Sequence, residues 1–254
     1  MEFSFNFNKK QDKNKILSCY HNGILKEIDI TESYRDGSLW DRIQGTNGYK
    51  PMDGIYPGCW IEMNHIIMIN KKYYKRNADT IKYIIVLECN THKELPFNHI
   101  VCCPLHDFGG SSMNMTSTNF GGYFNSYMNL KVLGNICDSY CDHPKTVNEY
   151  LYNEFGNHLK TFPITETNAI GETINHNVQS ILMSDENILS EKNGDLFSLL
   201  NLCEKYIRID DTNRDSYWLR NTYLEKEFFK YQYHYVMNYY ANGQSRIRPY
   251  FILG

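Results

Sequence analysis

The sequence has no apolar run long enough to span a membrane. A membrane-spanning helix needs about 20 consecutive apolar residues, and no stretch of this 254-residue chain approaches that length. The first seven residues, MEFSFNF, alternate apolar and polar side chains like a strand. They lack both the charged region and the apolar region of a signal peptide. We therefore expect no membrane span and synthesis in the cytoplasm of the producing cell.

The sequence also has no excess of basic residues. Lys and Arg total 26 against 29 Asp and Glu, which gives a formal net charge of −3. A broad nucleic-acid-binding surface requires a basic face, so nucleic acid is not an expected partner. Hydrophobic residues make up 42% of the chain and aromatic residues 15%. This composition suits a packed core and excludes an intrinsically disordered chain.

The eight cysteines are irregularly spaced and do not form a disulfide pattern. Cys137 and Cys141, with His143 nearby, lack the second ligand pair that structural zinc sites use. Residues 211–215 resemble the opening of a calcium loop, but Ser216 and Thr222 stand where such a loop needs Gly and Glu. We expect buried free thiols, no metal and no cofactor, with calcium at residues 211–215 as the alternative to a solvated turn.

Hydrophobic periodicity predicts strands in the first part of the chain. Residues 1–35 are typical of short strands, and Asn22-Gly23 is a strong signal for a two-residue hairpin turn. We interpret residues 1–35 as an N-terminal β attachment segment, separate from a domain over residues 36–254. Within that domain, residues 39–102 are expected to form further strands.

The middle of the chain changes to a helical period. Residues 123–140 predict one helix, and a second begins after Thr146, where Thr146 and Glu149 form a capping-box pattern. Gly156 is expected to end this second helix. Strands, two central helices and a loop-rich C-terminal half together predict an α+β fold with a mixed or antiparallel sheet.

The last forty residues are unusually rich in tyrosine, asparagine and histidine. Tyrosine gives a large contact area for little lost conformational freedom, so such segments suit recognition. Strand side chains alternate between faces, so only about half of them should be exposed. The candidate ligand-binding residues are Tyr231, Tyr233, His234, Tyr235, Asn238, Tyr239, Tyr240 and Asn242. An equally open interpretation is a tyrosine-rich hairpin buried in the core or in a subunit contact.

Two short motifs bracket this segment and are interpreted as structural anchors. Tryptophan buries a large apolar area, and arginine can bind backbone carbonyls or a carboxylate through its fork of donors. Proline is tolerated at the entry of a strand. The anchor residues are Trp218, Arg220, Arg248, Pro249, Tyr250 and Phe251.

A collinear set of motifs resembles a family of bacteriophage virion proteins from phages and prophages of Gram-positive hosts. No single motif is specific, but together they cover roughly residues 40 to 254. They are residues 55–58 (IYPG), 60–61 (WI), 98–101 (NHIV), 113–123 (MNMTSTNFGGY), 155–159 (FGNHL), 167–170 (TNAI), 182–184 (LMS), 196–197 (LF), 213–220 (NRDSYWLR) and 246–251 (RIRPYF).

This resemblance implies a C-type-lectin-like fold, related to the formylglycine-generating enzyme and to the major tropism determinant of phages. The C-terminal strand should then return to the sheet, and the segment before it should display the ligand surface. The formylglycine-generating relatives use a reactive cysteine pair near the C-terminal end, whereas the last cysteine here is Cys203. We therefore expect a binding protein and not an enzyme.

The resemblance also sets the expected function. The chain is expected on the virion, on the tail or the capsid surface, as a tail-fibre, baseplate or receptor-binding component that attaches to a host-surface glycan or protein. The alternative is a capsid decoration or tail connector protein whose tyrosine-rich segment lies in subunit contacts. Expected partners are other virion proteins and a host-surface glycan or protein, and virion proteins form symmetric sets, so we expect a homo-oligomer such as a trimer.

Overall fold

The computed structural model confirms an α+β fold. Its sheets are mostly antiparallel and its helices are few and short. The structure describes residues 18–21, 24–27, 29–67, 81–104, 108, 110–118, 122–135, 146–167, 171–184, 217–222, 226–232 and 235–254.

The described strands are short and are numbered in chain order. They are β1 (Ser18–His21), β2 (Ile24–Glu27), β3 (Trp60–Ile67), β4 (Ile81–Cys89), β5 (Ile100–Pro104), β6 (Gly110–Ser111), β7 (Leu159–Lys160), β8 (Phe162–Thr167), β9 (Thr173–Val178), β10 (Ser180–Leu182), β11 (Tyr217–Thr222), β12 (Glu227–Gln232), β13 (Tyr235–Tyr240), β14 (Ser245–Arg246) and β15 (Pro249–Leu253).

The larger sheet contains six strands in the order β10-β15-β5-β4-β3, and β7 also pairs with β15. All of these pairings are antiparallel. β5 and β15 are buried along their whole length, as expected of short apolar runs inside a sheet. The strand nearest the C-terminus therefore lies in the interior of the sheet, between β5 and β10.

The second sheet contains five strands in the order β13-β12-β11-β14-β6. β11 and β14 are parallel, and the other neighbours are antiparallel. β11 also contacts the larger sheet, because the backbone N–H of Arg220 donates to the carbonyl of Met183, directly after β10. This contact joins the two sheets and leaves β13 at the outer edge of the smaller one.

The predicted capping box at the start of the third α-helix is confirmed. This helix, α3 (Val147–Phe155), follows α1 (Thr31–Arg35) and α2 (Ser38–Gln44). Thr146 Oγ1 accepts a hydrogen bond from the backbone N–H of Glu149, and the Glu149 carboxylate accepts one from the N–H of Thr146. Gly156 ends the helix and opens a 3-10 turn (Gly156–His158).

The prediction of strands from residue 39 onward is wrong for its first part, where α2 forms. Leu39 and Ile43 are fully buried and lie one helical turn apart, so the apolar period here is that of a helix. Gly37 and Gly45 border the helix at φ of 81° and 74°, a left-handed conformation that glycine adopts without strain.

The helix predicted over residues 123–140 is shorter and of a different type. Residues 122–126 form turns, and a π-helix (Met128–Leu133) follows. Gly134, at φ 81°, ends it. Residues 136–140, the remainder of the predicted helix, lie outside the described residues.

The predicted N-terminal hairpin is confirmed in its pairing. β1 and β2 are antiparallel, with His21 opposite Ile24, while the turn itself lies outside the described residues. Further along, Tyr34 donates a hydrogen bond to Glu154 Oε1 at 2.5 Å. Residues 29–35 thus pack against the rest of the chain, and a separate attachment segment stays a prediction for the residues before them.

The described thiols are free and mostly buried, as predicted. Cys59, Cys102 and Cys103 are buried, and Cys89 is half-buried. The side chains of the remaining four cysteines, Cys19, Cys137, Cys141 and Cys203, lie outside the described residues. No helix in the described part of the chain is long and apolar enough to cross a membrane.

Candidate functional site

β12 and β13 form an antiparallel hairpin at the edge of the five-stranded sheet. In its register Phe228 lies opposite Tyr239, and Glu227 lies opposite Tyr240. Directly opposed residues share a face, and successive residues of a strand alternate between faces. The hairpin therefore has an inner face that includes Phe228 and Tyr239 and an outer face that includes Glu227 and Tyr240.

The inner face packs against the core. Phe228 is fully buried, and the Tyr239 ring lies 5.8 Å from the Trp218 ring, centroid to centroid. Lys230 is opposite Met237 on this face and is only 7% exposed. These contacts fix the register of the hairpin on β11.

The outer face, defined as Glu227, Phe229, Val236, Asn238 and Tyr240, presents aromatic and amide groups together. Tyr240 is 57% exposed, and Asn238 is also exposed, directly opposite the half-buried Phe229. Asn238 Nδ2 donates to Glu227 Oε2. The rings of Phe229 and Tyr240 therefore lie beside the hydrogen-bonded pair formed by the Asn238 amide and the Glu227 carboxylate.

Such a surface can bind a polyhydroxylated ligand or a polar protein patch. Aromatic rings provide apolar faces on which a sugar ring can stack. The amide and the carboxylate provide donors and acceptors for hydroxyl groups. Because Asn238 is already oriented by Glu227, a ligand at this position loses less free energy to ordering the side chain.

The turn after β13 holds the inner tyrosine in place. A Cβ atom added at Gly243 would overlap the Tyr239 ring, so glycine at this position allows the chain to close over that ring. Asn242, in the same turn, is exposed. The turn thus extends the polar surface beyond the strand.

The structure brings only part of the predicted ligand-binding set together. Asn238, Tyr240 and Asn242 are exposed, whereas Tyr239 is half-buried on the inner face. Tyr231 and Tyr235 lie in β12 and β13, but their side chains are outside the described residues. Tyr233 and His234 lie outside them altogether.

Glu227 and Phe229 belong to the outer face but were missed by sequence reasoning. Both precede the tyrosine-dense stretch, which begins at Tyr231. The signal that could have found them is the alternation of Glu227, Phe229 and Tyr231 with Phe228 and Lys230.

The predicted anchors lie in the core around the start of β11. Trp218 is fully buried, and its indole N–H donates to the carbonyl of Ser111 at 2.7 Å. Arg220 Nη1 donates to the carbonyl of Leu182 at 2.9 Å, and its Nε lies 3.9 Å from Glu166 Oε1. The tryptophan and the arginine thereby hold β11 against the neighbouring strands.

The second anchor motif begins the strand nearest the C-terminus. The Arg248 guanidinium lies 5.2 Å from the centre of the Tyr217 ring, within the range of a cation–π interaction. Pro249 is the first residue of β15, and Tyr250 and Phe251 are buried in it. The motif therefore enters the larger sheet through β15 and contacts the smaller sheet through Arg248 and Tyr217.

Lys230 is the most unusual titratable group near the hairpin. Its Nζ lies 3.7 Å from the centre of the Tyr239 ring, a close cation–π contact. Burial lowers the pKa of the Lys230 ammonium group, because a low-dielectric environment disfavours the charged form. The Tyr239 ring partly offsets the loss of hydration that the Lys230 ammonium group undergoes on burial.

The other chemical candidates do not form a described site. No group of three or more His, Cys, Asp or Glu side chains within the described ranges is placed to hold a metal ion. Burial raises the pKa of the fully buried Cys102 thiol well above its usual range, which disfavours the nucleophilic thiolate. Residues 211–215, the candidate calcium loop, lie outside the described residues.

Comparison of the chain with protein-family models, with curated proteins and with solved structures finds no match.

Proposed function

We propose that this chain is a bacteriophage virion surface protein, a tail-fibre, baseplate or receptor-binding component, with a C-type-lectin-like domain. In this proposal the outer face of the β12–β13 hairpin binds a glycan or a protein on the host surface. The observation that carries the proposal is the exposure of Tyr240, 57%, beside the exposed and oriented amide of Asn238.

The composition of the outer face supports recognition over packing. Most large aromatic side chains of the described chain are buried, and tyrosines exposed to this degree are few. Tyrosine is enriched in recognition surfaces because it contributes area, rigidity and a hydroxyl group at low entropic cost. The exposed Tyr240 ring beside the Asn238 amide is therefore better suited to binding a ligand than to stabilising the fold.

Two further observations support the phage family and the fold. The collinear motifs run from residue 55 to residue 251. In the C-type-lectin-like fold that they imply, the C-terminal strand returns to the sheet, and β15 pairs with β5, β7 and β10. In this proposal, the protein is made in the bacterial host cytoplasm and is assembled with other virion proteins on the tail or capsid surface.

A second candidate function is a capsid decoration or tail connector protein. It is favoured by the position of β13 at the edge of the described sheet, because an edge strand offers backbone groups to a neighbouring chain. Met237, 37% exposed on this strand, would be covered in such a contact. A homo-oligomer, for example a trimer, would then bury the tyrosine-rich segment between subunits.

Immunogold labelling of intact virions tests these assignments. Label at the distal tail or on fibres supports the receptor-binding component, whereas label spread over the head supports the decoration protein. Absence of label from the particle, with the antibody shown to bind the purified native protein, would contradict both.

A further inference from the structure

A polar cleft lies between α2 and the β4–β5 loop (residues 90–99). Its volume is about 480 Å³, within the range of roughly 300–1,000 Å³ that is usual for small-molecule sites. Its lining includes Gln44, Asn90, Lys93, Phe97, Asn98 and His99. The mouth of the cleft is wide, and more of its lining is polar than apolar.

The wall of the cleft is held by reciprocal amide hydrogen bonds. Gln44 Nε2 donates to the carbonyl of Asn98 at 2.7 Å. Asn90 Nδ2 donates to Asn98 Oδ1, and Asn90 Oδ1 accepts from the backbone N–H of His99 at 2.8 Å. Helix and loop are thereby connected before any ligand binds, which lowers the entropic cost of binding.

His99 fixes the interior of the loop. Its Nε2 accepts a hydrogen bond from the backbone N–H of His92 at 3.1 Å, so the ring proton lies on Nδ1, which is 3.0 Å from the carbonyl of Phe97. Burial lowers the pKa of His99, which favours this neutral form. The imidazole therefore acts as a fixed link between the two sides of the loop.

Three groups remain available to a ligand. Phe97 lines the cleft, with the ammonium group of Lys160 5.4 Å from the centre of its ring. Gln44 Oε1 has no hydrogen-bond partner among the described residues, and Lys93 is exposed and has no ion-pair partner among them. The cleft thus combines an aromatic ring, an amide acceptor and a positive charge.

We infer that this cleft is a binding site for a saccharide that carries an acidic group. The Phe97 ring contacts the apolar face of the sugar, Gln44 Oε1 accepts a hydrogen bond from one of its hydroxyl groups, and the Lys93 ammonium group pairs with the carboxylate or phosphate. The Lys160 ammonium group adds positive charge near the Phe97 ring. The site is independent of the hairpin and does not rest on the function proposed above.

The register of the larger sheet separates the two surfaces. The cleft adjoins the end of β15 where Leu253 pairs with Ile100, whereas the opposite end of that strand, at Pro249, follows β14 of the smaller sheet. None of the residues that line the cleft belongs to the hairpin.

Two-dimensional NMR of the purified protein, titrated with glucuronate, glucose 6-phosphate and glucose, tests the inference. We expect the acidic sugars to shift the backbone resonances of residues 90–99 and to bind more tightly than glucose. Phe97→Ala should weaken binding about tenfold, as expected for loss of an aromatic contact of about 1.4 kcal/mol.

Lys93→Met provides a second variant that leaves the fold intact, because Lys93 is exposed. It should weaken binding of the acidic sugars about two- to fivefold and leave binding of glucose unchanged, as expected for an exposed ion pair. Tyr152→Ala, at an exposed position of α3 outside the cleft, should leave all three affinities unchanged. The inference is overturned if no acidic sugar shifts the loop resonances, or if both cleft variants bind as the unaltered protein does.

Discussion

Tyr239 and Tyr240 are adjacent in the chain but face opposite sides of β13. The Tyr239 ring packs on Trp218 and beneath the Lys230 ammonium group, whereas Tyr240 extends into solvent on the outer face. Two identical side chains thus have different roles because strand residues alternate. One stabilises the hairpin, and the other is available for binding.

Alanine substitution should separate these two roles. Tyr239→Ala removes buried aromatic contacts and should lower the free energy of unfolding by about 2 kcal/mol, less than full burial would cost. Tyr240→Ala should change it by about 0.5 kcal/mol or less, as is usual for exposed positions. Urea denaturation of the two variants measures the difference, and an equal loss in both would contradict the described register.

The hydrogen bond between Tyr34 and Glu154 connects α1 to α3, and Asn64 Nδ2 also donates to the Tyr34 hydroxyl at 3.2 Å. Tyr34→Phe removes the hydroxyl from a buried network and should cost about 1–3 kcal/mol in unfolding free energy. Tyr152→Phe is the matched control, since Tyr152 is 51% exposed, and it should be nearly neutral. Similar midpoints of denaturation for both variants would show that α1 is not held by this bond.

Gly134 combines a left-handed backbone with close contact to the cap of α3. Its φ is 81°, and a Cβ atom there would lie 2.6 Å from Thr146 Oγ1. Gly134→Ala should therefore cost the left-handed penalty of about 1–2 kcal/mol and, in addition, about 1 kcal/mol of lost capping. Gly171, at φ 84°, has no atom within 4 Å of such a Cβ. Gly171→Ala should therefore cost only the left-handed penalty of about 1–2 kcal/mol. Equal losses of thermal stability would contradict the contact with Thr146.

Three histidines should make the protein less stable in mild acid. Burial lowers the pKa of His99, His158 and His176 below the usual 6.5. The unfolded chain then binds protons before the folded chain does, so the free energy of unfolding falls as the pH drops through and below 6.5. Denaturation between about pH 7.5 and pH 5.5 measures this slope, because carboxylates titrate at lower pH.

His99→Gln is the informative variant for this slope. Glutamine can still accept a hydrogen bond and donate one, but it does not titrate in this range. The variant should lose less stability between the two pH values than the unaltered protein. If the free energy of unfolding of His99→Gln depends on pH as strongly as that of the unaltered protein, groups other than His99 cause the dependence.

The sequence predicts those elements whose signals are local. The capping box of Thr146 and Glu149 needs only residues three positions apart, and both of its hydrogen bonds form. The hairpin of β1 and β2 follows from one dipeptide. In contrast, Leu39 and Ile43 are too few apolar positions to distinguish a short helix from a strand by period alone.

For the candidate binding surface, the sequence predicts the residue types but not which of them are exposed. Alternation implied that half of the aromatic segment faces inward, but which half depends on how β12 pairs with β11, whose register shifts between Trp218 and Thr222. Such a shift depends on tertiary packing and has no local signal. For the same reason Phe229 was missed, although it lies opposite Asn238.

Host adsorption tests the central claim most directly. Virions carrying Tyr240→Ala together with Asn238→Ala should adsorb to host cells at least tenfold more slowly, because both ligand-facing groups of the outer face are lost. Virions carrying Tyr152→Ala, which removes an equally exposed tyrosine on α3, should adsorb at the normal rate. Normal adsorption of the double variant, with the protein present on the particle in normal amount, would contradict a receptor-binding role for the hairpin.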